Sequence, residues 1–173
     1  MIIVENKEQL IYSILMHRNC KNILLSEEIT ELDFLFNICQ KEYGKPLEKQ
    51  FFEGIAELNY NNITSLDGMF ANCVNFNQEF KINAPKLKSI QYAFCNCENL
   101  NAEIEFKNSN PTTTAGCFYN CNKLNSNIYI DYSQIINCDG MFFECINLEK
   151  RKIKNLDTLE EQFHQHLRVW NNN

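Results

Sequence analysis

A phenylalanine recurs in this chain at a fixed interval of 24 residues, at Phe70, Phe94, Phe118 and Phe142, and each is followed three residues later by a cysteine. Those cysteines are Cys73, Cys97, Cys121 and Cys145, and three positions further on stand Phe76, Leu100, Leu124 and Leu148. A strict period of this length is the mark of a structural repeat. One unit cannot bury its apolar face alone, and stacked neighbours bury it jointly. The polar residues between keep register too. Asn-Cys-x-Asn-(Phe/Leu)-Asn is complete at 72–77 and 96–101, has Lys123 for one Asn at 120–125, and has Glu144 and Glu149 at the flanks of the last copy.

Each unit continues with an alternating pair: Phe80 and Ile82, Ile104 and Phe106, Ile128 and Ile130. Period-two alternation predicts short strands over Gln78–Ile82, Ala102–Phe106 and Ser126–Ile130 with one face inward. Upstream of each Phe lies a second apolar pair, at 63 and 66, 87 and 90, 111 and 114, 135 and 138. Pro111 and Thr114 replace aliphatic residues in the third copy, which predicts an irregular bend there. Ile29–Phe36 aligns with Ile63–Phe70, and Cys39 again falls three residues after the Phe, making a fifth copy separated from the second by an insertion within 40–56. That charged segment with its Gly and Pro reads as a surface loop or short helix.

The fold class expected is an α/β repeat solenoid of about five units with short parallel strands and a helical cap at each end. Residues 1–21 form the N-terminal cap, 22–154 the repeats, and 155–173 the C-terminal cap. Asn6 followed by Gln9 has the form of a helix N-cap with its capping partner, ahead of Leu10, Ile11, Ile14 and Leu15. Leu159, Phe163, Leu167 and Trp170 are helically spaced near the other end.

The nine cysteines, an odd number in a chain with no visible secretory signal, read as reduced core thiols rather than a disulfide framework. Cys95-x-Cys97 and Cys117-x-x-x-Cys121 do not make the paired loops of a structural zinc site, and His164 and His166 are spaced by two, which puts them on different helix faces. No nucleophile, phosphate-loop or dinucleotide motif is present, so no catalytic residue, metal or cofactor is expected. The net charge of −6 excludes a broad nucleic-acid footprint; the dense basic run is confined to 150–154. The amino-terminal residues show no secretory or lipidation signal, and no apolar run is long enough to span a membrane, so a cytoplasmic location is expected.

Leu87-x-x-Ile90-x-x-Ala93-Phe94-x-x-Cys97-x-x-Leu100, followed by Ile104 and Phe106, resembles the BspA-type leucine-rich repeat of bacterial surface proteins. Leu66–Cys73 and Phe76–Phe80 are similar to its surface-lipoprotein branch. The resemblance covers roughly 22–154. It implies a right-handed solenoid with one short strand, often two, per turn, and adherence to a host or partner protein.

With the motif itself assigned to packing, function is expected on the outward residues of the strands. Glu79, Glu103 and Asn127 form one column, and Lys81, Glu105 and Tyr129 another. The leading expectation is a protein–protein interaction scaffold that binds another protein, with a basic one favoured by the acidic charge. The alternatives are a small acidic immunity or inhibitor protein that neutralises a toxin, and a surface adhesin exported by an unrecognised route.

Overall fold

The computed structural model describes residues 1–157 and Leu159. Its regular elements, in chain order, are β1 (Ile2–Val4), α1 (Lys7–His17), β2 (Ile23–Leu25), α2 (Leu35–Tyr43), β3 (Phe80–Asn83), β4 (Ile104–Lys107) and β5 (Ile128–Tyr129). Strands β3, β4 and β5 pair in parallel with Phe80 beside Ile104 and Ile104 beside Ile128, so the repeat period is also the register of the sheet. On the other side of each unit, parallel bridges join Glu31 to Ser65, Ser65 to Ser89, Ser89 to Thr113 and Thr113 to Asn137.

The segment between those two pairing sites explains how a chain so poor in glycine can turn. Alternate residues donate to the next unit: Gly68, Phe70 and Asn72 donate through N–H to the carbonyls of Gln91, Ala93 and Cys95, each at 2.8 Å. The residues between them close i→i+3 turns within their own unit, with Met69 donating to Leu66, Ala71 to Gly68 and Cys73 to Phe70 at 2.9–3.1 Å. Every second amide thus bonds along the stack and every second one bonds within the turn, and no buried amide of this run is stranded. The geometry forces positive φ twice per unit. At the second of these sites stand Asn72, Asn96 and Asn120, with φ of 64°, 58° and 58°, and asparagine tolerates the left-handed region best among non-glycine residues. Their side chains form a ladder, Asn96 Nδ2 donating to Asn72 Oδ1 at 2.8 Å and Asn120 Nδ2 to Asn96 Oδ1 at 2.9 Å.

Inside, the repeat phenylalanines form a continuous stack. Phe36–Phe70, Phe70–Phe94, Phe94–Phe118 and Phe118–Phe142 have ring centroids 5.1, 5.2, 5.3 and 5.5 Å apart, with planes within 12° of parallel. All five are fully buried, so each contributes large apolar area as well as offset-stacking contact. The alignment of Phe36 with Phe70 therefore holds in three dimensions, across the insertion.

Two details differ from the sequence expectation and a third agrees with it. The segment 40–56 is partly helical, as expected, but it is not confined to the surface. Helix α2 runs into it and ends at Gly44 (φ 78°), and Leu47, Phe51, Phe52 and Ile55 are buried. The Phe52 ring lies 5.0 Å from Phe36 and 5.1 Å from Phe76, which its apolar neighbours in sequence, rather than its flanking charges, dictate. The third unit does bend irregularly ahead of Thr112: Asn108 has a φ of 52°, and the turn that Leu87 and Ile135 close by donating to Ala84 O and Tyr132 O has no counterpart at Pro111, which has no N–H. Beyond it Thr113 continues the run of bridges, while Thr112 Oγ1 donates to Lys88 O at 3.2 Å and Thr114 stays buried. Threonine, β-branched and able to bond a neighbouring carbonyl, substitutes for the aliphatic residue there. The strands also start at Phe80, Ile104 and Ile128, two residues later than the alternation predicts, because Asn77 and Asn101 use their side chains as turn acceptors for the amides of Asn101 and Asn125 at 2.8 Å.

At the amino end, Asn6 caps α1, accepting from Gln9 N–H at 2.9 Å while Gln9 Oε1 accepts from Glu5 N–H at 2.8 Å. This end holds more than the helix expected of it: β1 precedes α1 and pairs in parallel with β2. The C-terminal helix expected over 155–173, with Phe163, His164, His166, Leu167 and Trp170, lies outside the described residues except for its start, where Leu156 and Leu159 are buried.

Glu144 occupies the fourth asparagine site of the ladder, at φ 60°. Left-handed backbone costs an ordinary residue on the order of 1 kcal/mol, so Glu144→Asn is expected to raise stability by about that amount in urea unfolding. No change, or a loss, would show that the ladder site is neutral.

Candidate functional site

The strand register brings the outward residues together as columns. Lys81 lies beside Glu105 and Glu105 beside Tyr129 in the parallel ladder. Glu79, Glu103 and Asn127 line a common polar cleft of about 510 Å³ with Lys152 at its edge. All six residues singled out from the sequence therefore share one face.

Their charges are arranged differently from the acidic surface that the sequence suggests. Lys81 Nζ sits 3.1 Å from Glu79 Oε2 and 3.1 Å from Glu103 Oε1. Glu103, then Glu79, hold the Lys81 ammonium above the ordinary lysine range. Lys107 Nζ lies 3.7 Å from Glu105, and Lys154 Nζ stands 6.0 Å above the Tyr129 ring. The basic residues Lys107, Lys152 and Lys154 complete the face, so a mosaic of both signs replaces a purely acidic strip. The sequence holds a signal for Lys107, which lies two residues beyond Glu105 on the same face of a strand, where alternation places it. Glu79 keeps the most exposure of the paired carboxylates, at 67% of its side chain against 28% for Glu103 and 25% for Glu105.

Along the turn side runs a second exposed feature, made of aromatic rings. Phe34 and Tyr92 take the repeat position held elsewhere by Gly68, Gly116 and Gly140, with φ of 55° and 54°, and stay about half exposed. Their rings cover the next unit's glycine: a Cβ on Gly68 would meet Phe34, and one on Gly116 would meet Tyr92, each at 2.3 Å. Tyr119 and Phe143 stack at 5.1 Å one unit apart. The period, followed one position at a time, reveals this glycine–aromatic exchange in the sequence.

A family described as "Mycoplasma protein of unknown function, DUF285" matches residues 30–156 and, in a second overlapping span, 114–173. The chain belongs to the DUF285 family. The first span takes in the stacked phenylalanines and every strand from β3 to β5, so the match covers the repeats. No curated protein and no solved structure matches the chain. Among the described residues no helix is long and apolar enough to cross a membrane.

The DUF285 repeat cysteines serve the packing between units. Cys97, Cys121 and Cys145 donate through Sγ to the carbonyls of Phe70, Phe94 and Phe118 in the preceding unit, at 3.1, 3.1 and 2.9 Å. Each carbonyl also accepts the i→i+3 turn amide, so the small thiol fills a tight corner and occupies the oxygen's second lone pair. Burial pushes the Cys97 and Cys121 thiols up; Cys39 is raised to about 12 and Cys138 to about 11, each chiefly by desolvation. All nine cysteines are free, eight of them buried; Cys95 is partly exposed. No group of three or more His, Cys, Asp or Glu side chains that could hold a metal occurs among the described residues.

A thiol raised above the ordinary 9.0 stabilises the fold fully below that value, and the contribution is lost as pH rises from there through 11 and 12, because the unfolded chain ionises first. Unfolding midpoints are therefore expected to stay level to about pH 8 and fall above about pH 9, less steeply in Cys39→Ala. Brief alkylation of the folded protein is expected to label Cys95 ahead of every other cysteine, read by peptide mass mapping; rapid labelling of Cys97 or Cys121 would contradict the packing role.

Proposed function

We propose that this DUF285 chain is a non-enzymatic protein-binding scaffold, a right-handed coil of leucine-rich-repeat type related to the BspA-type repeats, which engages its partner through the strand face. The observation that carries the reading is the side-by-side placement of Lys81, Glu105 and Tyr129, with Glu79, Glu103 and Asn127 alongside, on a sheet whose other face is wholly occupied by core. Parallel strands at a fixed period set outward side chains in rows about 4.8 Å apart, a spacing suited to reading an extended segment or a flat protein surface rather than enclosing a small molecule.

The ion pairs refine the kind of partner. Lys81 already serves Glu79 and Glu103, so the face offers partly neutralised carboxylates, an aromatic ring at Tyr129 and the cations Lys152 and Lys154 at one side. A partner with alternating charge and one apolar side chain for Tyr129 fits better than a uniformly basic protein. Exposed pairs of this sort contribute little to folding, which leaves them free to exchange partners on binding.

Native pull-down with mass spectrometry is expected to recover a protein partner whose capture falls at least ~10-fold when Glu79, Glu105 and Tyr129 are all replaced by alanine, because binding energy concentrates in a few central residues. A partner retained undiminished by the triple variant would remove the strand face from the interaction. Unfolding of the variant at the wild-type urea midpoint confirms that the scaffold is intact.

A further inference from the structure

The amino-terminal end of the stack is an unfinished surface. Inside the molecule each unit lies against the next through its strand and its turn or helix; β1 lies on β2, and α1 packs on α2. On β1, Ile2 N–H donates to Asn22 O at 2.7 Å and Val4 O accepts from Ser26 N–H at 2.9 Å, so residues 2 and 4 are the ones that bond inward. By the alternation of a parallel ladder, the N–H and C=O of Ile3 point to the opposite edge. Among the described residues nothing pairs with that edge.

The end face is apolar where strand ends are usually protected. Proteins blunt an open edge with charged side chains or proline, among other means, and Met1-Ile2-Ile3-Val4 has neither. Ile3 is 61% exposed, Tyr12 67% and Met16 62%. Between β1 and α1 runs a groove of about 590 Å³, lined by Ile3, Tyr12, Glu8, His17 and their neighbours. Ser13 also lines it, and its Oγ is buried without a hydrogen-bond partner.

We propose that this end face binds a second copy of the chain, giving an end-to-end dimer about a two-fold axis that lies in the face and crosses from β1 to α1. Three features select a second copy as the occupant. The first is continuity: β1 and α1, which form the face, already pack on β2 and α2 through their inner side, so a second β1 and α1 would extend the same stack. The second is self-complementarity, because an antiparallel β1–β1 pair centred on Ile3 lets the two Ile3 residues exchange both N–H···O=C bonds. The third is hydrogen-bonding complementarity between a carboxylate and an imidazole. Glu8 and His17 lie four and five residues to either side of Tyr12 on the groove side of α1, so antiparallel helices crossing at Tyr12 set Glu8 of each copy near His17 of the other. This end lies apart from the strand face formed by β3–β5, so the dimer leaves the proposed partner surface open.

Sedimentation equilibrium of the full chain is expected to show a monomer–dimer equilibrium with Kd of about 1–100 µM. Ile3→Pro removes only the outward amide and breaks no hydrogen bond within the chain, so it is expected to weaken association at least ~10-fold while the dilute protein keeps its circular dichroism. Charge reversal provides a check independent of β1. Glu8→Lys alone weakens the dimer, and Glu8→Lys with His17→Glu restores it. A wild-type chain that stays monomeric at about 200 µM overturns the proposal and leaves the face to an extended segment of another protein. A dimer indifferent both to Ile3→Pro and to the charge series overturns it equally.

Discussion

The structure depends on one division of labour in the backbone. Over the turn of each unit, alternate amides bond along the stack and the others close turns within the unit, so no chain direction is left without partners. This alternation lets a segment that is neither helix nor regular strand be buried on one side along its length. It also dictates chemistry at fixed sites: positive φ at the glycine and asparagine positions, a small side chain with a donor at the cysteine, and a flat ring at the phenylalanine. The repeat motif is the side-chain record of that bonding scheme.

Packing then makes the scheme cooperative. The stacked rings from Phe36 to Phe142 and the thiols that reach back to the preceding phenylalanine carbonyl tie each unit to its neighbour through the interior. The asparagine ladder does the same at the surface. Each unit is thereby stabilised by contacts that it cannot make alone, as expected where stability is a sum over neighbours. Chemistry that the cysteines suggest in isolation gives way to this packing, since a desolvated thiol with its pKa raised is a poor nucleophile and a poor metal ligand.

Function is left to surfaces that the packing does not consume. The strand face, the exposed aromatic rings and the amino-terminal end differ in character: one polar and charge-paired, one aromatic, one apolar with an unpaired strand edge. The proposed self-association at the end and partner binding along the side would use separate parts of the repeat, with the ion pairs holding the strand face in a defined but exchangeable state.

Much of the unit was legible in the sequence because the period is strict and each position has a single environment. The phenylalanine stack, the displaced first copy with Phe36 and Cys39, the cap at Asn6 and the columns headed by Glu79 and Lys81 all follow from spacing, since equivalent residues in a parallel ladder must be neighbours. Three other matters required the tertiary structure. Residues 40–56 carry conspicuous charge, yet Phe51 and Phe52 enter the core, because the stack leaves a space beside Phe36 and Phe76 that apolar rings fill. The third unit rejoins the register after its bend at Pro111, because Thr112 N–H donates to Lys88 O just as Lys88 and Ile136 N–H donate to Thr64 O and Thr112 O. The sign of the strand face changed most. Composition counts carboxylates, but only the fold puts Lys81 between Glu79 and Glu103 and carries Lys154 back over Tyr129. Periodicity is local information and survives in one dimension; charge pairing between units depends on distances that exist only after the chain has stacked.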